Sequence, residues 1–382
     1  RMYSESLVRF RYAEMIMDGG AVPKVDKPLQ WPEGFPTATM ILPLPDHFTG
    51  STYRAVAAVA ARPIDHYAFL RWFMAVYGGL YVPAMALLFW VMFRKWVPTL
   101  AAASLYVILL PTFLRAAGNY LREDFATPPL MVATAFLWLL LESNTPARRK
   151  WFYGAALTAA VAAAMSCWHM AQFYVNVLLG VTLLSVWCGR KAAYGVAGLG
   201  LLVGTLVAGA VNLPLLSKGV LWSPTATVAA AVAAWGFAGG DADLRWSRRL
   251  LLGALAAAAA GLAVALAGQG AYGHAYALII EKIRFFGLHP QDPTKLSPDA
   301  RIFWMGPYDT ITAHRAVVEY GLLLATSTAA VVWGLLIKPA GAGRPLGFFA
   351  AAMTIITAFL FIILARLSIF FAPAGFISNP QT

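Results

Sequence analysis

Runs of apolar residues about as long as the bilayer core requires recur along this chain, broken by short polar connections. A membrane-spanning helix needs about 20 predominantly apolar residues. Ten stretches approach that length, near 70-92, 96-114, 126-142, 152-167, 170-187, 192-215, 221-239, 248-268, 316-337 and 346-372. Each is expected to be a helix, because backbone in lipid has to satisfy its own hydrogen bonds. Ahead of the first run, Tyr3, Leu7, Phe10 and Met15 recur at helical spacing and the pattern stops at Gly19-Gly20, which predicts a helix lying along the surface. The following segment, with Pro23, Pro28, Pro32, Pro36, Pro43 and Pro45, reads as an ordered loop. The pattern divides the chain into a first external loop with its surface helix (1-67), a helical membrane block (68-268), a large external loop (269-315) and two last spans with an external end (316-382). The fold class expected is an all-α polytopic membrane protein.

Composition agrees with that reading. Of the 382 residues, 60% are hydrophobic and 12% charged, more apolar surface than one water-soluble core hides. The net charge of +12 is no nucleic-acid signature, because the basic residues gather in every second connection. One set of connections holds Arg94, Lys95, Arg148, Arg149, Lys150, Arg190, Lys191, Arg245, Arg248, Arg249, Lys338 and Arg344; the short alternate ones hold Arg115, Arg122 and Lys218. The first set is therefore expected in the cytoplasm, leaving 1-67 and 269-315 outside. Cys167 and Cys188 fall at opposite ends of neighbouring spans, too far apart for a disulfide. The Ala-rich stretches 224-234 and 254-266 read as helix-packing surfaces.

Three polar clusters, distant in sequence, then lie at the predicted outer boundary: Tyr3 to Arg11, Ala117 to Asp124, and Tyr308 to Arg315. A fourth feature is Arg366 inside the apolar run 359-371, where a charge costs at least ~2.5 kcal/mol on insertion scales and so should face a partner, a cavity or the headgroups. Bland readings stand beside each. Glu5 suits a solvated helix face, and Glu123 and Asp124 suit the first turn of a helix, where the dipole favours carboxylates. His289, His314 and the pairs Asp46-His47 and Asp65-His66 read as loop residues, while Trp168-His169 reads as part of an interfacial aromatic belt or as a turn beside the site.

The clusters together resemble the catalytic subunit of oligosaccharyltransferase, a GT-C-fold family that moves a lipid-linked glycan onto asparagine. Glu5 ahead of Phe10-Arg11 is similar to the family's first acidic motif, and Ala117-Gly118-Asn119-Tyr120 followed by Glu123-Asp124 to its second. Thr310-Ile311-Thr312-Ala313-His314 resembles the Thr/Ser-Ile/Val-x-Glu motif, and Arg366 before Phe371-Ala372-Pro373 the later arginine. The resemblance implies a GT-C-like bundle of about ten transmembrane helices with two long external loops. It implies Glu5, Glu123 and Asp124 as catalytic acids holding Mn or Mg, with Arg366, His314, Thr310, Trp168 and His169 toward substrate. The partners implied are a lipid-linked oligosaccharide donor, an acceptor polypeptide and membrane lipid, with no nucleic acid. The site is expected on the extracytoplasmic face, and the chain is expected to be a fragment lacking a first helix and a C-terminal domain.

One position departs from the pattern. The motif glutamate corresponds to Ala313, which neither ligates a metal nor accepts a side-chain hydrogen bond; His314 or Asp309 stands near enough in sequence to replace it. That departure keeps in view a GT-C transferase using a polyprenyl-phosphate sugar and a noncatalytic membrane homologue; a transporter is an alternative of a different class. The last fits least well, because apart from Arg366 the spans hold few of the mid-membrane ionisable groups that transport requires.

Overall fold

A computed structural model describes residues 4–29, 32–60, 62–108, 120–142, 146–187 and 193–238, with short pieces at 253, 281–282, 284–285, 290 and 292–296. Among the described residues every regular element is helical, and an isolated antiparallel bridge joins Asp26 to Phe35.

Helix α1 (Ser4–Met17) ends where the sequence predicts, at Gly19, whose φ of +81° is a left-handed conformation that glycine adopts without strain. It is not a detached surface helix, since Tyr12, Ala13, Ile16 and Met17 are buried. Its partner is an element that the proline count hides. After the short α2 (Thr37–Met40), a 16-residue helix α3 (Leu44–Val59) runs through what reads as loop. Pro45 sits in its first turn, where a missing N–H is lost anyway, so the proline starts the helix. Gly50 of α3 allows α1 to approach closely, for a Cβ there would meet Ile16 Cγ2 at 2.6 Å.

Asp65 caps α4 (His66–Gly79) by accepting a hydrogen bond from Ala68 N at 2.7 Å. Together with α5 (Tyr81–Phe93) it makes an apolar stretch of 27 residues, His66–Met92. The stretch is interrupted at Leu80, between Gly78-Gly79 and Pro83, whose missing N–H leaves the Gly79 carbonyl without a helical donor. The chain continues through α6 (Trp96–Ile108), α7 (Arg122–Leu141), α8 (Ala147–Cys167) and α9 (Ala171–Trp187). Last come α10 (Tyr194–Val211), the short α11 (Leu213–Ser217) and α12 (Pro224–Phe237). In the seven runs read from 70-92 to 221-239 the described residues are largely helical, with 109-114, 192 and 239 outside them; those at 248-268 (except residue 253), 316-337 and 346-372 lie outside the described residues. Among the described residues three helical stretches, His66–Met92 (α4 with α5), Arg122–Leu141 and Tyr194–Val211, are long and apolar enough to cross a membrane.

Helix α7 is the most enclosed span, packed between α5 and α8. Helix α10 lies between α8 and α12, close enough that a Cβ on Gly198 would meet Ala233 N at 2.5 Å. Small residues carry such contacts in membranes because lipid removes the hydrophobic drive between helices and leaves van der Waals fit to hold them.

The bundle has two chemically different ends. At one, Arg94 donates through Nη2 to both oxygens of Glu142, at 3.0 and 2.8 Å, and Ala193 N bonds Leu140 O at 2.9 Å. The Arg94–Glu142 pair is half-exposed and contributes under about 1 kcal/mol. The basic residues Lys95, Arg148, Arg149 and Lys150 share this end. The opposite end gathers α1, α3, the approach to α7, Trp168 and α11.

Candidate active site

Helix α7 brings Glu123 and Asp124 to that second end, in its first turn. The helix dipole favours acids there, and both side chains are buried, each 1% exposed, with Leu121 at the cap position. Two adjacent carboxylates taken out of water carry a desolvation cost of several kcal/mol per charge unless partnered.

The backbone of this turn is specially supported. Pro128 and Pro129 lie inside α7 and remove the N–H groups that would have bonded the carbonyls of Asp124 and Phe125. Two tyrosines, Tyr77 of α4 and Tyr81 of α5, replace them: Tyr81 OH donates to Asp124 O at 3.0 Å, and Tyr77 OH to Phe125 O at 2.8 Å. Thr127 Oγ1 donates to Glu123 O at 2.8 Å. An unbonded carbonyl in apolar surroundings costs several kcal/mol, so these hydroxyls permit a proline-opened turn to persist at the acids. Aromatic rings of Phe48, Phe73, Tyr77 and Phe125 surround it in edge and stacked contacts.

Next to this turn lies a buried polar junction. Arg9 of α1 donates through Nη1 to Asp46 Oδ2 of α3 at 2.6 Å and to Leu42 O at 2.8 Å. Tyr120, just before α7, donates to the other Asp46 oxygen at 3.2 Å and lies 3.1 Å from Thr49 Oγ1. Burial pushes the Asp46 carboxyl up, against the pull of Arg9, Tyr120 and Arg122. Burial, with Asp46 adding to it, also carries the Tyr120 hydroxyl well above the usual tyrosine range. Arg9 Nη2 and Ser6 Oγ, on neighbouring turns of α1, are buried with no hydrogen-bond partner among the described residues. Buried polar atoms of that kind accommodate water or a ligand oxygen. Cys167, at the end of α8, is within electrostatic reach of both Arg9 and Asp46. Lys218, after α11, is half-buried; burial and then the neighbouring Arg122 hold its ammonium below the usual lysine range.

The residues expected from sequence therefore fare differently. Glu123 and Asp124 are buried in the first turn of α7, three and four residues after Tyr120 of the junction. Glu5 lies on α1 one turn before Arg9, on a helix that the junction ties to the approach to α7; its side chain is outside the described residues. Trp168 is 1% exposed, which overturns the interfacial-belt reading: it is a core residue beside Cys167. His169 is half-buried next to it. Asp46 and Asp65 are not idle loop residues, being respectively the hub of the junction and a helix cap. Thr310, His314 and Arg366 lie outside the described residues. From the loop 269-315, Lys282 is 1% exposed and Leu296 joins the core.

Sequence reasoning missed Arg9 and Asp46 as partners, since nothing local links positions so far apart. The available signal was Pro45 as a helix start, which would have placed Asp46 in a first turn rather than a loop.

A divalent cation suits the donors present, for Glu123 and Asp124 supply hard oxygens at one buried turn. Among the described residues no group of three or more His, Cys, Asp or Glu side chains forms a complete metal site.

The sequence matches no protein-family model and no curated protein. Its fold does have solved counterparts. The archaeal oligosaccharyltransferase AglB from Archaeoglobus fulgidus, in complex with an inhibitory peptide and a dolichol-phosphate, superposes with a TM-score of 0.69 at 15% identity, over 98% of this chain and 45% of that one. The Archaeoglobus fulgidus oligosaccharyltransferase in its apo form gives a TM-score of 0.62 at 16% identity, over 97% of this chain and 45% of that one. The chain thus has an oligosaccharyltransferase-type membrane fold and spans about 45% of the length of those enzymes.

Proposed function

We propose that this chain is the membrane part of a GT-C glycosyltransferase that transfers an oligosaccharide from a polyprenyl or dolichyl diphosphate carrier to asparagine of exported proteins. The observation that carries the reading is the buried Glu123-Asp124 turn, linked to α1 through Tyr120, Asp46 and Arg9, in a chain with the AglB fold. The site would face away from the cytoplasm, because the basic connections mark the opposite end. The AglB counterpart is bound to a peptide and a dolichol-phosphate, the two chemical classes that this reaction brings together.

The chemistry asks for acids and a cation. An asparagine amide nitrogen is a poor nucleophile because its lone pair is delocalised into the carbonyl, as in a peptide bond. Carboxylates accepting hydrogen bonds from its NH2 group polarise or twist it. On this reading Glu5, Glu123 and Asp124 would hold Mn or Mg, with His314 or Asp309 in place of the missing motif glutamate. When bound, such an ion neutralises charge that develops on the departing diphosphate. Arg366 would grip that diphosphate through its fork of donors. Thr310 and His169 would lie toward the donor or acceptor, with Trp168, buried in the core beside His169, supporting that turn rather than touching substrate. Direct attack inverts the anomeric carbon.

Purified protein in lipid nanodiscs, incubated with Mn, lipid-linked oligosaccharide and an Asn-x-Thr peptide, is expected to yield glycopeptide. Donor binding without product would favour a noncatalytic homologue. Transfer from a polyprenyl-monophosphate sugar instead would favour the other GT-C class, which the substitution at Ala313 keeps open. Transport of a labelled substrate into proteoliposomes would support a transporter.

A further inference from the structure

Three segments far apart in the chain converge on the two oxygens of one carboxylate. Asp46 of α3 takes Arg9 Nη1 of α1 on Oδ2 at 2.6 Å and the hydroxyl of Tyr120 on Oδ1 at 3.2 Å. Arg9 is tied in addition to Leu42 O, and Tyr120 approaches Thr49, so each arm of the junction has a second attachment. All three residues are almost fully buried. A buried ion pair is a poor device for stability alone, because apolar residues of equal volume often serve as well or better. What it supplies is direction: a carboxylate with two differently engaged oxygens fixes the relative placement of both partners.

The location of those partners gives the direction a purpose. Arg9 lies one helical turn, about 6 Å of rise, from Glu5. Tyr120 lies three residues, at most about 10 Å of chain, from Glu123. The same junction therefore holds the two backbone segments that carry the acids, each on a short lever.

We propose that Arg9, Asp46 and Tyr120 form a clasp that positions α1 against the first turn of α7, and so sets the spacing of Glu5 relative to Glu123 and Asp124. They are positioning residues and touch no reacting atom. The proposal rests on the glycosyltransferase reading above. Displacements near 1 Å at a reacting centre cost about a hundredfold in rate without removing substrate contacts, so the clasp acts on kcat and leaves KM alone.

The test uses the full protein in nanodiscs with three variants: Asp46→Asn, Tyr120→Phe and the double variant. Transfer to an Asn-x-Thr peptide is expected to fall at least about tenfold in kcat for Asp46→Asn and less for Tyr120→Phe, with KM for peptide and donor unchanged within about twofold. The double variant should be no worse than Asp46→Asn alone, because both act through one junction. Hydrogen exchange, read on the same samples without turnover, should rise in 4–17 and 120–125 and stay constant in α10. Wild-type transfer with unchanged kcat in both single variants overturns the clasp, as does exchange that is unaltered at 120–125. A wild type that transfers nothing overturns the functional reading instead, and the exchange data then decide whether the clasp joins α1 to α7.

Discussion

Tyr81 donates its hydroxyl to the carbonyl of Asp124 at 3.0 Å, the carbonyl that Pro128 deprives of its helical N–H. Tyr77 stands in the same relation to Phe125 and Pro129. Two successive prolines would ordinarily end a helix or kink it sharply. Here α7 continues because the adjacent span supplies the missing donors one turn apart. The opened turn is the one bearing the acids, so the tyrosines couple the shape of α4 and α5 to the candidate site.

Tyr81→Phe and Tyr77→Phe are each expected to destabilise the protein by about 1–3 kcal/mol, the cost of leaving a buried acceptor unsatisfied. Thermal unfolding in detergent measures this directly. Unchanged unfolding temperatures in both variants would mean that the carbonyls find other donors.

The contact between α10 and α12 gives a steric prediction. Gly198→Val places a side chain where even a Cβ meets Ala233 N at 2.5 Å and Ala229 O at 3.0 Å, and backbone cannot give way as a side chain would. Overpacking of this kind costs about 1–3 kcal/mol or more. Gly180→Ala in α9 is the control, since nothing lies within 4 Å of its Cβ position. Monodisperse yield after detergent extraction should fall for the first and hold for the second; equal yields would contradict the close approach.

Much of the membrane architecture was legible because lipid imposes a single requirement, a long apolar helix, that leaves a plain trace in sequence. The run at 192-215 corresponds to Tyr194–Val211 and that at 221-239 to Pro224–Phe237. The segment outside the spans was legible only in part. Prolines at 23, 28, 32, 36, 43 and 45 look alike in sequence, yet Pro45 lies in the first turn of α3, Pro36 and Pro43 cap α2 and α3, Pro28 lies in a single 3-10 turn, and Pro23 and Pro32 belong to irregular chain. The break at Leu80 also escaped notice, because Gly78-Gly79 and Pro83 sit inside an uninterrupted apolar run. At the site, the acids were visible as motifs, but their supports were not. A hydroxyl answering a carbonyl 43 positions away, or Arg9 meeting Asp46, depends on tertiary geometry with no local sequence signal. Trp168 failed for a related reason: an aromatic at a short turn between spans has the same sequence signature whether lipid headgroups or protein surrounds it.

The pH dependence of the clasp follows from the burial of Asp46. Its carboxyl titrates above the ordinary aspartate value because loss of water outweighs the stabilisation from Arg9, Tyr120 and Arg122. In the window between the ordinary and the raised value, the folded protein binds a proton that the unfolded chain does not. This group's contribution to stability therefore falls as pH rises through that window. Infrared difference spectra should show a protonated carboxyl band, lost in Asp46→Asn, that appears on acidification above pH ~4. A band that appears only below the ordinary aspartate range would reverse the sign of this contribution.

Arg366→Leu is expected to weaken binding of the lipid diphosphate donor by about tenfold or more, the loss of a charge-assisted pair. Donor affinity in nanodiscs measures it, and an unaltered affinity would remove Arg366 from the site.

The central claim is that acids carried by α1 and α7 converge on one divalent ion. Titration of Mn2+ into the protein in nanodiscs, followed by electron paramagnetic resonance, tests it without turnover. One tight ion per chain is predicted, weakened at least about tenfold by each of Glu5→Gln, Glu123→Gln and Asp124→Asn. Binding that is indifferent to Glu5→Gln, or no tight ion in the wild type, would contradict the account.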